Sequence, residues 1–236
     1  MKTDKSLSIF THFLKFVHHP SINKSSNPIV KNLLQLLLLF FLGLIIRFLI
    51  AFLRPYFIDA PMKDNLTSYE ISIFEVFLTC LLVPLLEELA FRLPLYFSKI
   101  NLSISTTIIS FFIVNRFFHL EDQYDLKNDF FFRVLIAYLL GFLMWLIVKN
   151  YGKFFEDFYH KRLGIIVYSY SLFFAFMHIA NYEVSSNYLL TSLFIIIPHF
   201  ISGLILSFVR LNYGFFYSLF LHILNNSLPF IILSII

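Results

Sequence analysis

Cysteine is almost missing from this 236-residue chain, and the single Cys80 excludes both an intrachain disulfide framework and a cysteine-rich metal cluster. Set in an apolar run, Cys80 reads as a small core residue. Charge is also scarce, at 14% of residues, and neither an internal repeat nor a flexible linker is evident. Three hydrolase signatures are absent: no HExxH zinc helix, no Gly-x-Ser nucleophile turn, and no aspartate pair within the apolar runs. What abounds is hydrophobic matter, 59% of residues with 33 phenylalanines, at a mean hydropathy of +0.80. A soluble chain of this length does not carry such a composition. The formal charge of +4 is scattered at the ends of apolar runs, which argues against a nucleic-acid partner and for topology signals at a membrane.

Apolar windows long enough for a bilayer predict an all-α, polytopic transmembrane helix bundle of about seven spans. They run from Val30 to Leu53, Ile71 to Phe97, Leu102 to Phe118, Phe130 to Val148, Gly164 to Ile179, Tyr188 to Val209 and Phe215 to Ile236. Residues 30–236 then form one transmembrane helical domain, preceded by a cytoplasmic or interfacial segment, 1–29. Within that segment no cleavable signal peptide is expected, because it is mixed and basic without a bounded apolar core. Leu7, Ile9, Phe10, Phe13, Leu14 and Val17 fall near one helical face, with Lys5, His12 and Lys15 elsewhere, which predicts a helix on the membrane surface.

Placing the N-terminus inside puts 11 of the 18 Lys and Arg on the inner side and 4 outside. The bias predicts a cytoplasmic N-terminus; the membrane expected is a bacterial cytoplasmic one. Counted from Lys99, Arg162 and Arg210 at about 1.5 Å per residue, Glu87, His178 and His222 lie roughly 18, 24 and 18 Å deep, inside a core of about 30 Å.

Those three residues belong to polar insertions that apolar spans rarely tolerate without a role. Glu87 and Glu88 sit side by side with Arg92 four residues after Glu88. Acid first at i, i+4 is the favoured order for a same-face ion pair, while Glu87 points about 100° away. One carboxylate is thereby neutralised and its neighbour left for work. His222 and Asn226 share a face at the same spacing and offer two hydrogen-bond donors to one developing oxyanion. Glu87 is then the general base for a water, and His178 orients that water or shares its proton. Peptide-bond hydrolysis within a bilayer fits these roles.

The pattern resembles the CPBP family of intramembrane endopeptidases (CAAX protease and bacteriocin-processing, or Abi). Its EExxxR, FxxxH and HxxxN motifs have counterparts in Glu87-Glu88 with Arg92, Phe174 with His178, and His222 with Asn226. The resemblance covers about residues 76–228, including the run from Arg210 to Phe215 before the last motif. It implies a catalytic glutamate at Glu87, support from Glu88 and Arg92, and catalytic roles for His178, His222 and Asn226. No cofactor is required in the glutamate mechanism. If zinc were used, Glu87, His178 and His222 would be its ligands, with water fourth. One departure is that two apolar runs, Leu102 to Phe118 and Phe130 to Val148, separate the first motif from the second. An even number of inserted spans preserves the parity of the later helices. His119 is the rival second histidine, with Asn115 where the motif has Phe.

Other polar residues have plainer readings. His199, beside Pro198, reads as structural, since a buried polar group needs one satisfied bond. Arg47 and Arg116 snorkel or pair with acids on neighbouring spans, Glu75 is interfacial, and Asn225 replaces Asn226 only by turning to another face. The alternative from a different class is a non-catalytic membrane scaffold or immunity protein of the same fold. A proton-coupled carrier is weaker, because the acids and histidines do not string across the bilayer. The partners expected are the membrane and a protein or peptide substrate, with no nucleic acid.

Overall fold

In a computed structural model of the chain, the described residues are 9–57, 63–64, 73–117, 129–183 and 188–233. They are almost wholly helical: α1 (Ile9–His18), α2 (Ile29–Leu53), α3 (Ile73–Phe77), α4 (Val83–Phe91), α5 (Lys99–Phe117), α6 (Phe130–Met177), α7 (Tyr188–Asn212) and α8 (Phe215–Leu233). A two-residue antiparallel pair, β1 (Lys63–Asp64) with β2 (Tyr182–Glu183), sets Lys63 opposite Glu183. The chain divides into two compact units, residues 1–84 with 164–236, and residues 85–163.

The first unit is built on α7, which packs against α2 and α8, while α1 docks on α2 and α7. Small residues allow the approach to the end of α6: Gly203 lies so close to Ser171 that a Cβ added there would stand 3.1 Å from the Ser171 Cα. Nearby, the fully buried Ser171 and Ser207 share a hydroxyl hydrogen bond at 3.3 Å. α7 ends at Asn212 because Gly214 turns the chain at φ +117, a conformation that side chains disfavour. Val209 O accepts both the Tyr213 and Gly214 N–H groups there.

α1 presents two apolar stripes rather than one. Ile9, Phe13 and Phe16 are buried on the protein, with the rings of Phe13 and Phe16 edge-on to Phe208 at 5.6 and 5.3 Å. Phe10 and Leu14, one turn apart, stay exposed. The expected surface helix is thus fastened to the bundle by half of its apolar residues.

In the second unit, α5 and α6 meet at Gly141, where a Cβ would overlap Thr107 Oγ1 and stand 3.0 Å from Ser103 O. Ser103 Oγ donates to the Gly141 carbonyl at 2.7 Å. Arg133, which with Arg54, Lys63 and Lys127 makes up the four charges expected outside, is fully buried; its Nη1 donates to Asn115 Oδ1 at 2.7 Å. It is a core residue and not a loop charge.

Seven spans are not what the fold contains. Among the described residues three helices are long and apolar enough to cross a membrane: Ile29–Tyr56, Phe130–Met177 and Leu190–Asn212. The fourth and fifth expected spans are the two ends of α6, a 48-residue helix whose backbone leaves helical geometry at Tyr151 and Arg162. Its 48 residues are about twice the roughly 20 that one crossing needs. The stretch between the breaks holds Lys153, Glu156, Asp157 and Lys161, which have no place in hydrocarbon. The second expected span is subdivided into α3, a π-helical turn, α4 and a 3-10 turn. The third is a short apolar helix, Lys99–Asn115. Along α2 a nearly continuous apolar face is exposed, including Leu34, Phe41, Ile45, Phe48 and Phe52. So large an uncovered apolar surface is foreign to soluble monomers.

Candidate active site

The helix that bears the glutamates is shaped by Pro84. Leu78–Leu82 form a π-helical turn in which Val83 N–H reaches back five residues to Leu78 O. In that register the Thr79 carbonyl would meet the nitrogen of Pro84, which has no hydrogen to give. Asn226 takes its place: Nδ2 donates to Thr79 O at 3.3 Å, and Cys80 Sγ lies 3.8 Å from the Asn226 carbonyl. A π turn of this kind often marks a functional segment. Here it gives a sequence-local reason for where the Asn226 amide points. Its NH₂ group has a second hydrogen for another acceptor.

In the second unit, Arg92 Nε stands 3.6 Å from Glu88 Oε1, and both side chains are fully buried. This is the i, i+4 pair expected from the spacing. The helix stops at Arg92, whose N–H bonds Glu88 O at 2.9 Å, because Pro94 opens a 3-10 turn over Leu93–Leu95. Ser105 of α5 buttresses the same helix by donating to the Ala90 carbonyl at 2.6 Å. Glu87 is only half-buried. The two carboxylates therefore differ in burial, Glu88 fully sealed beside Arg92 and Glu87 only partly covered.

In the first unit, Phe174 gathers the histidines. Its ring meets His178 at 4.5 Å and His222 at 5.8 Å, edge-on in both cases. His178 Nδ1–H donates to the Phe174 carbonyl at 2.8 Å. A carbonyl can only accept, so the neutral ring keeps its lone pair on Nε2. The FxxxH spacing thus supplies both the backbone acceptor that fixes the tautomer and the ring that positions the imidazole. His222 is 3% exposed.

Sequence reasoning missed His199. It stacks on His178, ring centroids 4.0 Å apart at 30°, and its Nδ1–H donates to Ile195 O at 2.7 Å, giving it the same tautomer. The signal available was its place beside Pro198, one turn from an acceptor carbonyl. Among the described residues Arg47 is held by an amide and a carbonyl: Nη2 donates to Asn225 Oδ1 at 2.5 Å and Nε to Gly43 O at 3.3 Å. Asn225 is thereby committed to α2, which leaves Asn226 as the amide of this site. His119 and the side chains of Glu75 and Arg116 lie outside the described residues. Among the described residues no three His, Cys, Asp or Glu side chains are grouped as a metal site.

No protein-family model, curated protein or solved structure matches this chain. A half-buried carboxylate can accept a proton, two Nδ1-donating imidazoles keep basic nitrogens, and His222 with Asn226 can donate to an oxyanion.

Proposed function

We propose that the chain is an integral membrane endopeptidase that hydrolyses peptide bonds of membrane-associated proteins or peptides, in a bacterial cytoplasmic membrane with its N-terminus in the cytoplasm. Glu87 takes a proton from water as the oxygen attacks the peptide carbonyl carbon. His178 orients that water or shares its proton. His222 and Asn226 donate hydrogen bonds to the oxyanion, and collapse expels the amine, which takes the proton back from Glu87. Glu88 and Arg92 brace the helix. The observation that carries the reading is Phe174 holding His178 and His222 together although they are distant in the chain. The unequal burial of Glu87 and Glu88 supports it.

The test is a quantitative survey of new peptide termini in membranes of cells expressing wild type or E87Q at equal abundance. Termini produced by the wild type fall by about 10²- to 10⁴-fold with E87Q, as removal of a general base requires. Identical termini, with E87Q folded and phenotypically normal, would sink the protease reading in favour of a scaffold or immunity protein. A zinc chelator leaves cleavage unchanged; loss that zinc restores would make Glu87, His178 and His222 metal ligands instead.

A further inference from the structure

His178 stands just past the end of α6, on a 3-10 turn over His178–Asn181 that packs against α7. Its Nδ1–H donates to the Phe174 carbonyl, one turn back on its own chain, at 2.8 Å. One hydrogen bond holds one edge of an imidazole and leaves the ring plane to swing about the bond. The Phe174 ring meets it edge-on, at 62°. A fully buried ring is held by close packing on every side, but His178 is only half-buried, so its plane depends on the few faces it touches.

His199 supplies such a face. Its ring lies 30° from that of His178, with centroids 4.0 Å apart. Its own orientation is set by Nδ1–H donating to the carbonyl of the buried Ile195 at 2.7 Å, one turn back along α7. Each imidazole is therefore bonded to its own helix and stacked on the other. The crossing that brings them together is the close approach of Gly203 to Ser171: His199 lies one turn before Gly203 on α7, and His178 two turns after Ser171. The FxxxH spacing fixes one edge of the ring, and α7 fixes its plane.

We propose that His199 is a positioning residue, whose ring face sets the plane of His178 and so keeps its Nδ1–H on the Phe174 carbonyl. The consequence for cleavage rests on the protease reading, in which His178 orients the attacking water or shares its proton. Nε2 lies off the axis of the Nδ1–H bond, so a swing of the plane displaces the nitrogen that performs this role.

The experiment uses the full chain in an uncharged detergent, isotope-labelled on the histidine ring nitrogens, as wild type, H199L and H199F, with H178Q to identify the His178 signals. Nitrogen–proton correlation spectra read which ring nitrogen bears the hydrogen. Wild type shows the Nδ1–H form at His178. H199L, which fills the space without a flat face, moves His178 to a mixture with the Nε2–H form, and H199F, which restores the face without a nitrogen, keeps the wild-type form. In membranes at equal abundance, the peptide termini that E87Q removes fall about 10- to 100-fold with H199L and stay within about 3-fold with H199F, the scale of misplacing a group at a reacting centre. Where H199L does not fold, H199A makes the same comparison. The inference is overturned if wild type lacks the Nδ1–H form at His178, if H199L keeps it, or if H199F loses it as H199L does. It is equally overturned if termini are undiminished in an H199L whose His178 has shifted. A wild type with no E87Q-sensitive termini sinks the protease reading alone, and the spectra then decide whether His199 positions His178.

Discussion

Glu88 and Arg92 show how a single residue's worth depends on its partner. Both are sealed from solvent at 3.6 Å, so removing the cation strands a carboxylate in a low-dielectric interior. R92M is expected to destabilise the second unit by about 3–5 kcal/mol, whereas replacing both partners by apolar groups restores most of that loss. Thermal midpoints of R92M and E88L/R92M in detergent check this; equal midpoints for R92M and wild type would dismiss a buried pair. Glu87 differs because it is only partly covered, and E87Q is expected to leave the protein level unchanged. The i, i+4 spacing made this division legible in the sequence. His199 was not legible, because no sequence pattern places one imidazole over another: its stacking on His178 depends on how the end of α6 meets α7.

At the scale of an element, Pro84 is the cause of the π turn's free carbonyl and hence of the Asn226 contact. P84A supplies the missing N–H and draws the turn back toward α-helix. Cleavage by P84A is expected to fall about 10- to 100-fold through misplacement of the Asn226 amide, while the thermal midpoint holds or rises. Full activity in P84A would detach the turn from the chemistry. α7 offers a packing test at Gly203. G203A is expected to be nearly neutral, because the gain of about 1 kcal/mol in helix propensity is set against a Cβ 3.1 Å from the Ser171 Cα. G203L is expected to lose about 1–3 kcal/mol or more, since overpacking then dominates. Unfolding by sodium dodecyl sulfate reads the difference, and a G203L variant as stable as wild type would refute the tight crossing. The seven expected spans failed at this scale too. Hydropathy finds apolar runs, but it does not reveal that Pro84 and Pro94 subdivide one run or that helical backbone bridges the polar stretch after Val148.

For the whole molecule, the exposed apolar faces of α2 and α6 and the distribution of basic residues bear on topology. With Cys80 replaced by serine, a cysteine introduced at Ser26 or Lys153 is expected to react with an impermeant thiol reagent only after the cytoplasmic face is opened. One at Lys63 is expected to react in intact cells. Reversed labelling would invert the orientation. The tally that led to this orientation assumed seven alternating spans and included Arg133, which the fold withdraws as a buried core residue.

By itself the sequence determined the solvent class, the helical character and the within-helix pairs, because composition and i, i+4 spacing are local properties that any helix must express. It also marked Glu87, His178, His222 and Asn226, since polar side chains in apolar runs stand out whatever the fold. Tertiary structure alone decided which asparagine Arg47 occupies, that His199 stacks on His178, that the Phe174 ring meets His222, and that Thr79 takes the Asn226 amide. Those outcomes depend on contacts between residues far apart in the chain, and periodicity within one helix contains no information about its neighbours.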